Sequence, residues 1–242
     1  MLIDRYQKTM LEFLQDRADT QREACLEAGR IAARAALEGR AVHVFDSGHI
    51  INSELIERGG GLILFKPFKY ALSVTDPVRP RDRSDLDVSQ EGLARYALRA
   101  SGARPGDVIF IGSVSGKTVD VVDLAIEAKS FGLTVIAVTS LAYSGAVRSL
   151  HSSGKRLFEC ADLVLDNGAP VGEGMLEVSG LNAHFAAASG LSAAFLMWSV
   201  SAVAVELLLD QGRTPGVFRS YNLPGGEEHN EAIRQNYLDF GF

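Results

Sequence analysis

Short apolar runs that do not alternate with polar residues constrain the fold of this chain most strongly. Such runs cover residues 41–46, 107–113, 133–140 and 163–168, and helical stretches separate them. A strand that is apolar on both faces belongs in a parallel sheet that is covered by helices on both sides. The sequence therefore predicts an α/β fold, a three-layer sandwich in which helices flank a mainly parallel sheet of about five strands.

Residues 1–38 precede the first of these strands and predict a pair of helices. We expect one domain over residues 1–242, made of this helical pair, an α/β core at 39–211 and a tail at 212–242. Residues 66–89 contain three prolines and several arginines, and they predict a loop that is either a lid or a solvated connection. The tail is predicted to be irregular from Pro215 to Asn230.

The charge balance and the cysteine count exclude several classes of protein. The 242 residues carry 24 Lys and Arg against 30 Asp and Glu, a formal net charge of −6, whereas nucleic-acid binding needs clustered basic charge. Two cysteines, Cys25 and Cys160, are too few for a disulfide scaffold and argue against a metal framework. The first residues lack the basic start and continuous apolar run of a secretory signal. These features predict a cytoplasmic protein that binds no nucleic acid.

Residues 185–205 carry no charge, and the stretch is long enough to cross a bilayer. Serines interrupt it, and no basic flank sets an orientation, so a buried helix at the centre of an α/β protein explains it better than a membrane span. Its small residues also suit close contacts between helices, including contacts across a dimer. We expect a helix here and no membrane partner.

The carboxyl ends of parallel strands are where such sheets bind ligands. In this chain those ends are residues 47–49, 113–118, Ser140 and Asn167. We therefore expect Ser47, Gly48 and His49, which follow the first strand, and Ser140, which follows the third, to contact a ligand.

The loop at residues 113–118 has the composition of an anion site. It ends in Gly-Lys-Thr, as a nucleotide-binding P-loop does, but the glycine that such a loop needs five positions before Gly116 is absent. What remains is a group of hydroxyls, Ser113, Ser115 and Thr118, around Gly116 at the start of the next helix. Free N–H groups and the helix dipole favour an anion there, and a phosphate monoester fits; capping of the helix by these hydroxyls is the alternative.

The segment VIFIGSVSGKTVDVVDLAIEAKSFGLTVIAVTS resembles the core of the sugar isomerase (SIS) domain family, with its S-x-S-G-x-T loop between strand and helix and its second strand ending in Thr-Ser. The resemblance covers nearly the whole chain. The segments LARYALRASGARPGDVIFIG, SSGKRLFECADLVLDNGAP and VFRSYNLPGGEEHN resemble a bacterial SIS group often labelled as phosphoheptose isomerases. The resemblance implies that Ser113, Ser115 and Thr118 hold a sugar phosphate and that Glu54 acts as a catalytic base.

A histidine usually partners such a base by handling the oxygen-bound proton, and the heptose isomerases place theirs within the helix predicted at 185–205. This chain has none there, and His184, His229 and His49 are the candidates to replace it. His43 is predicted to be a packed core residue and His151 a surface residue. Glu54 itself could instead lie on an exposed helix face.

Departures from the family pattern leave the activity open. Asp46 and Ile50 stand where the family usually has a glycine and a hydroxyl, which adds a negative charge beside the expected phosphate and removes a donor. The leading prediction is a sugar-phosphate isomerase that works through a cis-enediol, without metal or other cofactor, as a homo-oligomer (dimer or tetramer). The alternatives are a noncatalytic sugar-phosphate-binding module and a lyase or etherase that uses the same carboxylate.

Overall fold

The computed structural model describes residues 1–48, 51–75, 77–82, 84 and 89–242. Its helices are α1 (Leu2–Thr20), α2 (Arg22–Leu37), α3 (Ile51–Leu55), α4 (Leu93–Ala100), α5 (Val119–Phe131), α6 (Leu141–Ala146), α7 (Leu157–Cys160), α8 (Ser189–Asp210) and α9 (Gly226–Phe240). Its strands are β1 (Val42–Asp46), β2 (Phe65–Pro67), β3 (Val108–Gly112), β4 (Thr134–Thr139), β5 (Leu163–Asp166), β6 (Gly174–Leu176) and β7 (Phe185–Ala187).

In the described part of the chain, five strands form a parallel sheet in the order β2-β1-β3-β4-β5. Helices cover both of its faces. The predicted parallel sheet flanked by helices is therefore confirmed, and so is the predicted helical pair, which is α1 and α2. β6 and β7 form a small antiparallel pair outside this sheet.

The strands are buried on both faces because successive side chains enter different cores. Along β3, Val108 and Phe110 pack with α2, α3 and α8, whereas Ile109 and Ile111 pack with α4, α5 and α7. This division explains why the strand segments read as unbroken apolar runs.

Helix α8 packs most closely against α2. Gly29 of α2 makes this approach possible, because a β-carbon placed on it would lie 2.5 Å from Cβ of Val203. Among the described residues, α8 is the helix that is long and apolar enough to span a membrane by length and composition, and 44% of its apolar window is buried inside the fold.

Three predicted segments differ in the structure. Residues 185–205 do not form one helix, because Phe185–Ala187 pairs with β6 and α8 begins at Ser189. The predicted loop at 66–89 loses its first two residues to β2, the parallel edge strand. The tail was predicted to be irregular through Asn230, and this is wrong from Gly226 onward, where α9 buries Asn230 and Ile233.

Candidate functional site

The ends of the parallel strands bring the predicted ligand residues to one edge of the sheet. Asp46 of β1 pairs with Gly112 of β3, and Gly112 pairs with Val138 of β4. Beyond these pairs the main chain continues the ladder, since the amide of Ser47 donates to the carbonyl of Gly112 at 3.1 Å and the amide of Ser113 donates to that of Val138 at 3.1 Å. Ser47 and Ser113 therefore leave the sheet side by side.

The loop at residues 113–118 is shaped by Gly116. This residue has φ +55°, and a β-carbon on it would lie 3.0 Å from Cβ of Leu157, 3.1 Å from Oγ of Ser144 and 3.2 Å from Oγ1 of Thr139. A larger residue would meet both a left-handed backbone and a closely packed floor. Glycine at this position thus lets the loop lie directly on α6 and α7.

Hydrogen bonds from neighbouring segments fix the same loop. The carbonyl of Gly116 accepts from the amide of Leu157, and the carbonyl of Lys117 accepts from the amide of Leu150, each at 2.8 Å. The hydroxyl of Thr139 donates to the carbonyl of Val114 at 3.0 Å. The loop is therefore preorganised by its own fold.

Thr118 lies at the N-terminus of α5 but does not cap it with its side chain. Its Oγ1 is buried, and no residue in the described part of the chain is its hydrogen-bond partner. Buried hydroxyls are almost always paired in folded proteins, so such a group in a preorganised loop indicates a place that a ligand can complete. The first amides of a 13-residue helix lie beside it.

The other hydroxyls predicted at this edge are used to different extents by the fold. Ser140 is completely buried; its Oγ donates to the carbonyl of Ala169 at 2.6 Å and accepts from the amide of Tyr143 at 3.0 Å, so it caps α6. Oγ of Ser47 donates to the carbonyl of Gly112 at 3.2 Å. Ser113 is 6% exposed, while Ser115 is half-buried. Gly48 has φ +123°, and the predicted contact of His49 lies outside the described residues.

Glu54 lies on α3, the short helix that follows β1. Its carboxylate is paired with the guanidinium of Arg58, and its side chain is 37% exposed. The helix is held through Ile51 and Leu55, which are buried against β1 and α8. Glu54 is thus a partly accessible carboxylate on an anchored helix.

Asp46 places its carboxylate at the same edge of the sheet, at the end of β1. A β-carbon added to Gly112 would lie 3.2 Å from Oδ1 of Asp46. Gly112 is the residue immediately before the loop at 113–118, which we call the hydroxyl loop. The carboxylate therefore lies beside the segment that leads into the hydroxyl loop, and Ile50, the other predicted departure from the family pattern, lies outside the described residues.

The two described histidine candidates lie on different elements. His184 is exposed and immediately precedes β7. His229 lies in the first turn of α9, where its Nε2 donates to the carbonyl of Val217 at 2.9 Å. His184 was predicted to come just before the helix, but β7 lies between it and the start of α8 at Ser189.

His151 was predicted to lie on the surface; the residue is partly buried, and its side chain is 9% exposed. Its Nε2 lies 3.8 Å from Oδ1 of Asp123 and 4.0 Å from Oε2 of Glu91, while its Nδ1 accepts from the amide of Ser153 at 3.0 Å. His43 is half-buried, with Nε2 at 3.3 Å from Oδ2 of Asp107. His151 therefore contacts α5 and the segment before α4, and His43 of β1 contacts the residue that precedes β3.

Sequence reasoning missed two polar residues at this edge. Oδ1 of Asn52 and Oγ of Ser144 are buried, and within the described ranges neither has a hydrogen-bond partner. Asn52 stands out in the sequence as an amide next to two isoleucines and two residues before Glu54. No comparable signal marks Ser144, because it approaches Gly116 through the packing of α6.

One ion pair, between Arg156 and Glu159, lies beside the loop. The Arg156 guanidinium, which hydrogen-bonds to the carboxylate, holds the pKa of Glu159 at about 2, and both residues flank Leu157. Across residues 1–48, 51–75, 77–82, 84 and 89–242, no group of three or more His, Cys, Asp or Glu side chains is arranged to hold a metal ion.

Comparison with known proteins places this geometry in context. A family model for the SIS domain matches residues 5–140. A UPF0309 protein of Shouchella clausii is 37% identical over 238 residues, which are 97% of this chain and 96% of that relative. The fold is similar to that of a phosphoheptose isomerase from Neisseria gonorrhoeae, with a TM-score of 0.52, 14% identity and coverage of 86% of this chain and 98% of the other. A phosphoheptose isomerase from Francisella tularensis has a TM-score of 0.51 at 15% identity, with coverage of 86% and 96%.

Proposed function

Because this chain belongs to the SIS domain family, we propose that it binds a phosphorylated sugar at the carboxyl edge of its sheet and interconverts the aldose and ketose forms through a cis-enediol. The observation that carries this proposal is the preorganised loop at 113–118, whose Thr118 hydroxyl is buried without a partner among the described residues. A phosphate oxygen is an acceptor that suits this donor and the free amides at the start of α5.

The phosphate is the anchor of the proposed substrate. Ser113, Ser115 and Thr118 supply neutral donors, and the dipole of α5 places partial positive charge at the N-terminus of the helix. Gly116 lets the main chain approach the anion closely. Ser47 and Gly48 would contact the sugar from the end of β1, and His49 is kept as a predicted contact.

Proton transfer is assigned to Glu54. Its carboxylate takes the proton from the carbon beside the substrate carbonyl, the C–H electron pair forms the carbon–carbon double bond of the enediol, and the carbonyl oxygen receives a proton. The first proton then returns to the former carbonyl carbon, while the hydroxyl on the carbon that lost its C–H proton gives up its own proton and becomes the new carbonyl, so that the two oxygen-bound protons balance. His184 or His229 is proposed as the group that moves the oxygen-bound proton, and no metal or other cofactor enters these steps.

The protein is further proposed to act in the cytoplasm as a homo-oligomer, on a small-molecule substrate and without nucleic-acid or membrane partners. A noncatalytic sugar-phosphate-binding module is the second candidate. The position of Asp46 favours it, because a carboxylate beside the loop weakens the binding of a doubly charged phosphate and marks a departure from the isomerase pattern.

Ligand binding is tested by thermal unfolding with a panel of sugar phosphates, sugar acids and the unphosphorylated parent sugars. Binding to the native state raises the melting temperature by mass action, whether or not catalysis follows. We expect one phosphorylated sugar to stabilise the protein and Ser115→Ala to remove most of that shift. The matched control is Ser179→Ala, an exposed serine between β6 and β7. Stabilisation by unphosphorylated sugars or sugar acids, without any by sugar phosphates, would refute the proposed ligand class.

Catalysis is tested with the sugar phosphate that stabilises the protein. In deuterated water an isomerase exchanges the proton beside the carbonyl, and we expect Glu54→Gln to abolish this exchange while ligand-induced stabilisation persists. Glu12→Gln is the control, since it breaks an i,i+4 ion pair with Lys8 on exposed α1. Binding without exchange in the unmodified protein would favour the noncatalytic module.

A further inference from the structure

A groove of about 450 Å³ lies between the edge strand β2 and the C-terminal end of α4. Basic residues line it at Lys66, Lys69 and His43, whereas no Asp or Glu side chain of the described residues does. His43 is the second residue of β1 and Ser47 follows the last, so about 13 Å of strand lies between the groove and the edge that carries the hydroxyl loop. The groove is therefore separate from the candidate site, and its chemistry is independent of the proposed function.

Lys66 and His43 are neighbours across two strands. They are register partners in the parallel pair of β1 and β2, so both side chains leave the same face of the sheet. The ring of His43 lies edge-to-face with that of Phe68, and its Nε2 lies 3.3 Å from Oδ2 of Asp107. The side chain of Asp107 is 4% exposed and also accepts hydrogen bonds from two main-chain amides. A fixed carboxylate thus orients an imidazole beside an amine.

The amine of Lys66 is enclosed by the C-terminal helix. Its Nζ lies 3.7 Å from the centre of the Tyr237 ring on α9. Lys8 and Lys129 form ion pairs with carboxylates, whereas Lys66 forms none within the described part of the chain. Among those residues, Lys66 thus lacks the acid partner that would hold it as an ammonium ion.

Burial lowers the pKa of Lys66 below its ordinary value. The negative charge of Glu57 raises this pKa and the positive charge of Arg234 lowers it, so these two charges oppose each other. The neutral amine is the nucleophilic form of lysine, and the loss of water around the amine increases the neutral fraction. Lys66 is therefore a candidate nucleophile beside an imidazole.

We infer that the groove is a second reactive site, in which the amine of Lys66 forms an imine with a small aldehyde or ketone that carries an anionic group. The nitrogen lone pair attacks the carbonyl carbon, both N–H protons pass to the carbonyl oxygen, and this oxygen leaves as water when the C=N bond forms. His43 carries the protons, since an imidazole oriented by a carboxylate both accepts and donates them. Lys69, which is exposed, attracts the anionic group.

Reductive labelling of the folded protein with glyoxylate tests this inference. Sodium cyanoborohydride converts the imine into a stable secondary amine, and peptide mass spectrometry gives the rate at each lysine. At neutral pH we expect Lys66 to react at least about tenfold faster than Lys155 and Lys8, because more of its amine is neutral and His43 moves the protons. Lys155 is exposed in a loop, and Lys8 is paired with Glu12. With glycolaldehyde, which is neutral, the ratio of the rates at Lys66 and Lys155 should be at least about threefold lower.

Variants at two positions separate the roles of the residues. His43→Phe keeps a ring against Phe68 but removes the proton carrier, so labelling of Lys66 should fall at least about tenfold while that of Lys155 stays the same. His43→Asn is a second variant, and circular dichroism should show both folded. Lys66→Arg keeps a cation on the Tyr237 ring and should abolish the rise in melting temperature that glyoxylate produces in the unmodified protein.

Labelling of Lys66 no faster than that of Lys155 would overturn the inference. Unchanged labelling of Lys66 in both folded His43 variants would also contradict it, because the groove would then supply no proton transfer. Equal ratios with glycolaldehyde and glyoxylate would refute the anionic class of ligand. A glyoxylate-induced rise in melting temperature that persists in Lys66→Arg would place the binding site elsewhere.

Discussion

Replacement of Gly116 by alanine tests how tightly the hydroxyl loop packs on the residues beneath it, once the cost of the left-handed backbone is accounted for. At φ +55° an alanine costs about 1 kcal/mol relative to glycine. The added methyl group also meets Leu157, Ser144 and Thr139 at 3.0 to 3.2 Å, closer than ordinary van der Waals contact. Insertion of one methyl group into a filled space costs about 1 to 3 kcal/mol. We therefore expect Gly116→Ala to lower the free energy of unfolding by about 2 to 4 kcal/mol.

Gly154→Ala is the matched control for this substitution. Gly154 has φ +70°, and a β-carbon on it would meet no atom within 4 Å. The control thus carries the backbone cost without the contacts, and a loss of about 1 kcal/mol is expected. For a chain of this length that corresponds to a fall in melting temperature of about 2 to 4 °C, against roughly 4 to 16 °C for Gly116→Ala.

Urea denaturation of the two variants and the unmodified protein, followed by circular dichroism, measures both quantities. The slope of unfolding free energy with urea should stay the same, so that midpoints compare directly. Equal midpoints for Gly116→Ala and Gly154→Ala would refute the reasoning, because they would mean that the loop does not rest on α6 and α7 as described. A further expectation is that Gly116→Ala loses ligand-induced stabilisation, whereas Gly154→Ala keeps it.

Two further predictions concern titration and thiol reactivity. Because Arg156 holds the pKa of Glu159 at about 2, well below its usual 4.5, this pair stabilises the fold above about pH 4.5, and the contribution disappears as the pH falls toward about 2. Urea midpoints measured over that range should fall more steeply in the unmodified protein than in Glu159→Gln, and parallel curves would contradict the pairing. Burial raises the pKa of Cys25 to about 11 and also raises that of Cys160, so a disulfide reagent at neutral pH should modify two thiols after unfolding and neither in the native protein. Rapid labelling of the folded protein would show that these side chains are open to solvent.

The sheet was predictable because its signal is local. Unbroken apolar runs such as that of β3 reflect burial on both faces, and this property is written in consecutive residues. The edge strand β2 was missed because three residues, Phe65–Pro67, that end in proline carry too little pattern to distinguish a strand from a loop. Helix α9 was missed because its first turn is polar and only a few of its residues, such as Ile233, are buried against the rest of the fold, so the apolar helical pattern is weak.

Most residues of the candidate site were predictable from the sequence, but their hydrogen bonding was not. The hydroxyl loop was visible in the sequence, because Ser113, Ser115, Gly116 and Thr118 are close neighbours in the chain and precede a helix. Whether each hydroxyl is free depends on partners far away in the sequence. The hydroxyl of Ser140 donates to the carbonyl of Ala169, whereas the hydroxyl of Thr118 has no partner among the described residues. Nothing in the sequence distinguishes the two.

The sequence by itself determined the parallel sheet, the helical pair and the location of the hydroxyl loop, because strand periodicity, apolar burial and turn chemistry act between residues close in the chain. The tertiary structure decided which polar atoms of the described residues remain unpaired, that Glu54 is joined to Arg58, that the side chain of His151 is largely enclosed, and that α8 keeps exposed apolar residues. Each of these depends on which side chains meet after the chain has folded, since burial and hydrogen bonding belong to a residue's surroundings in space.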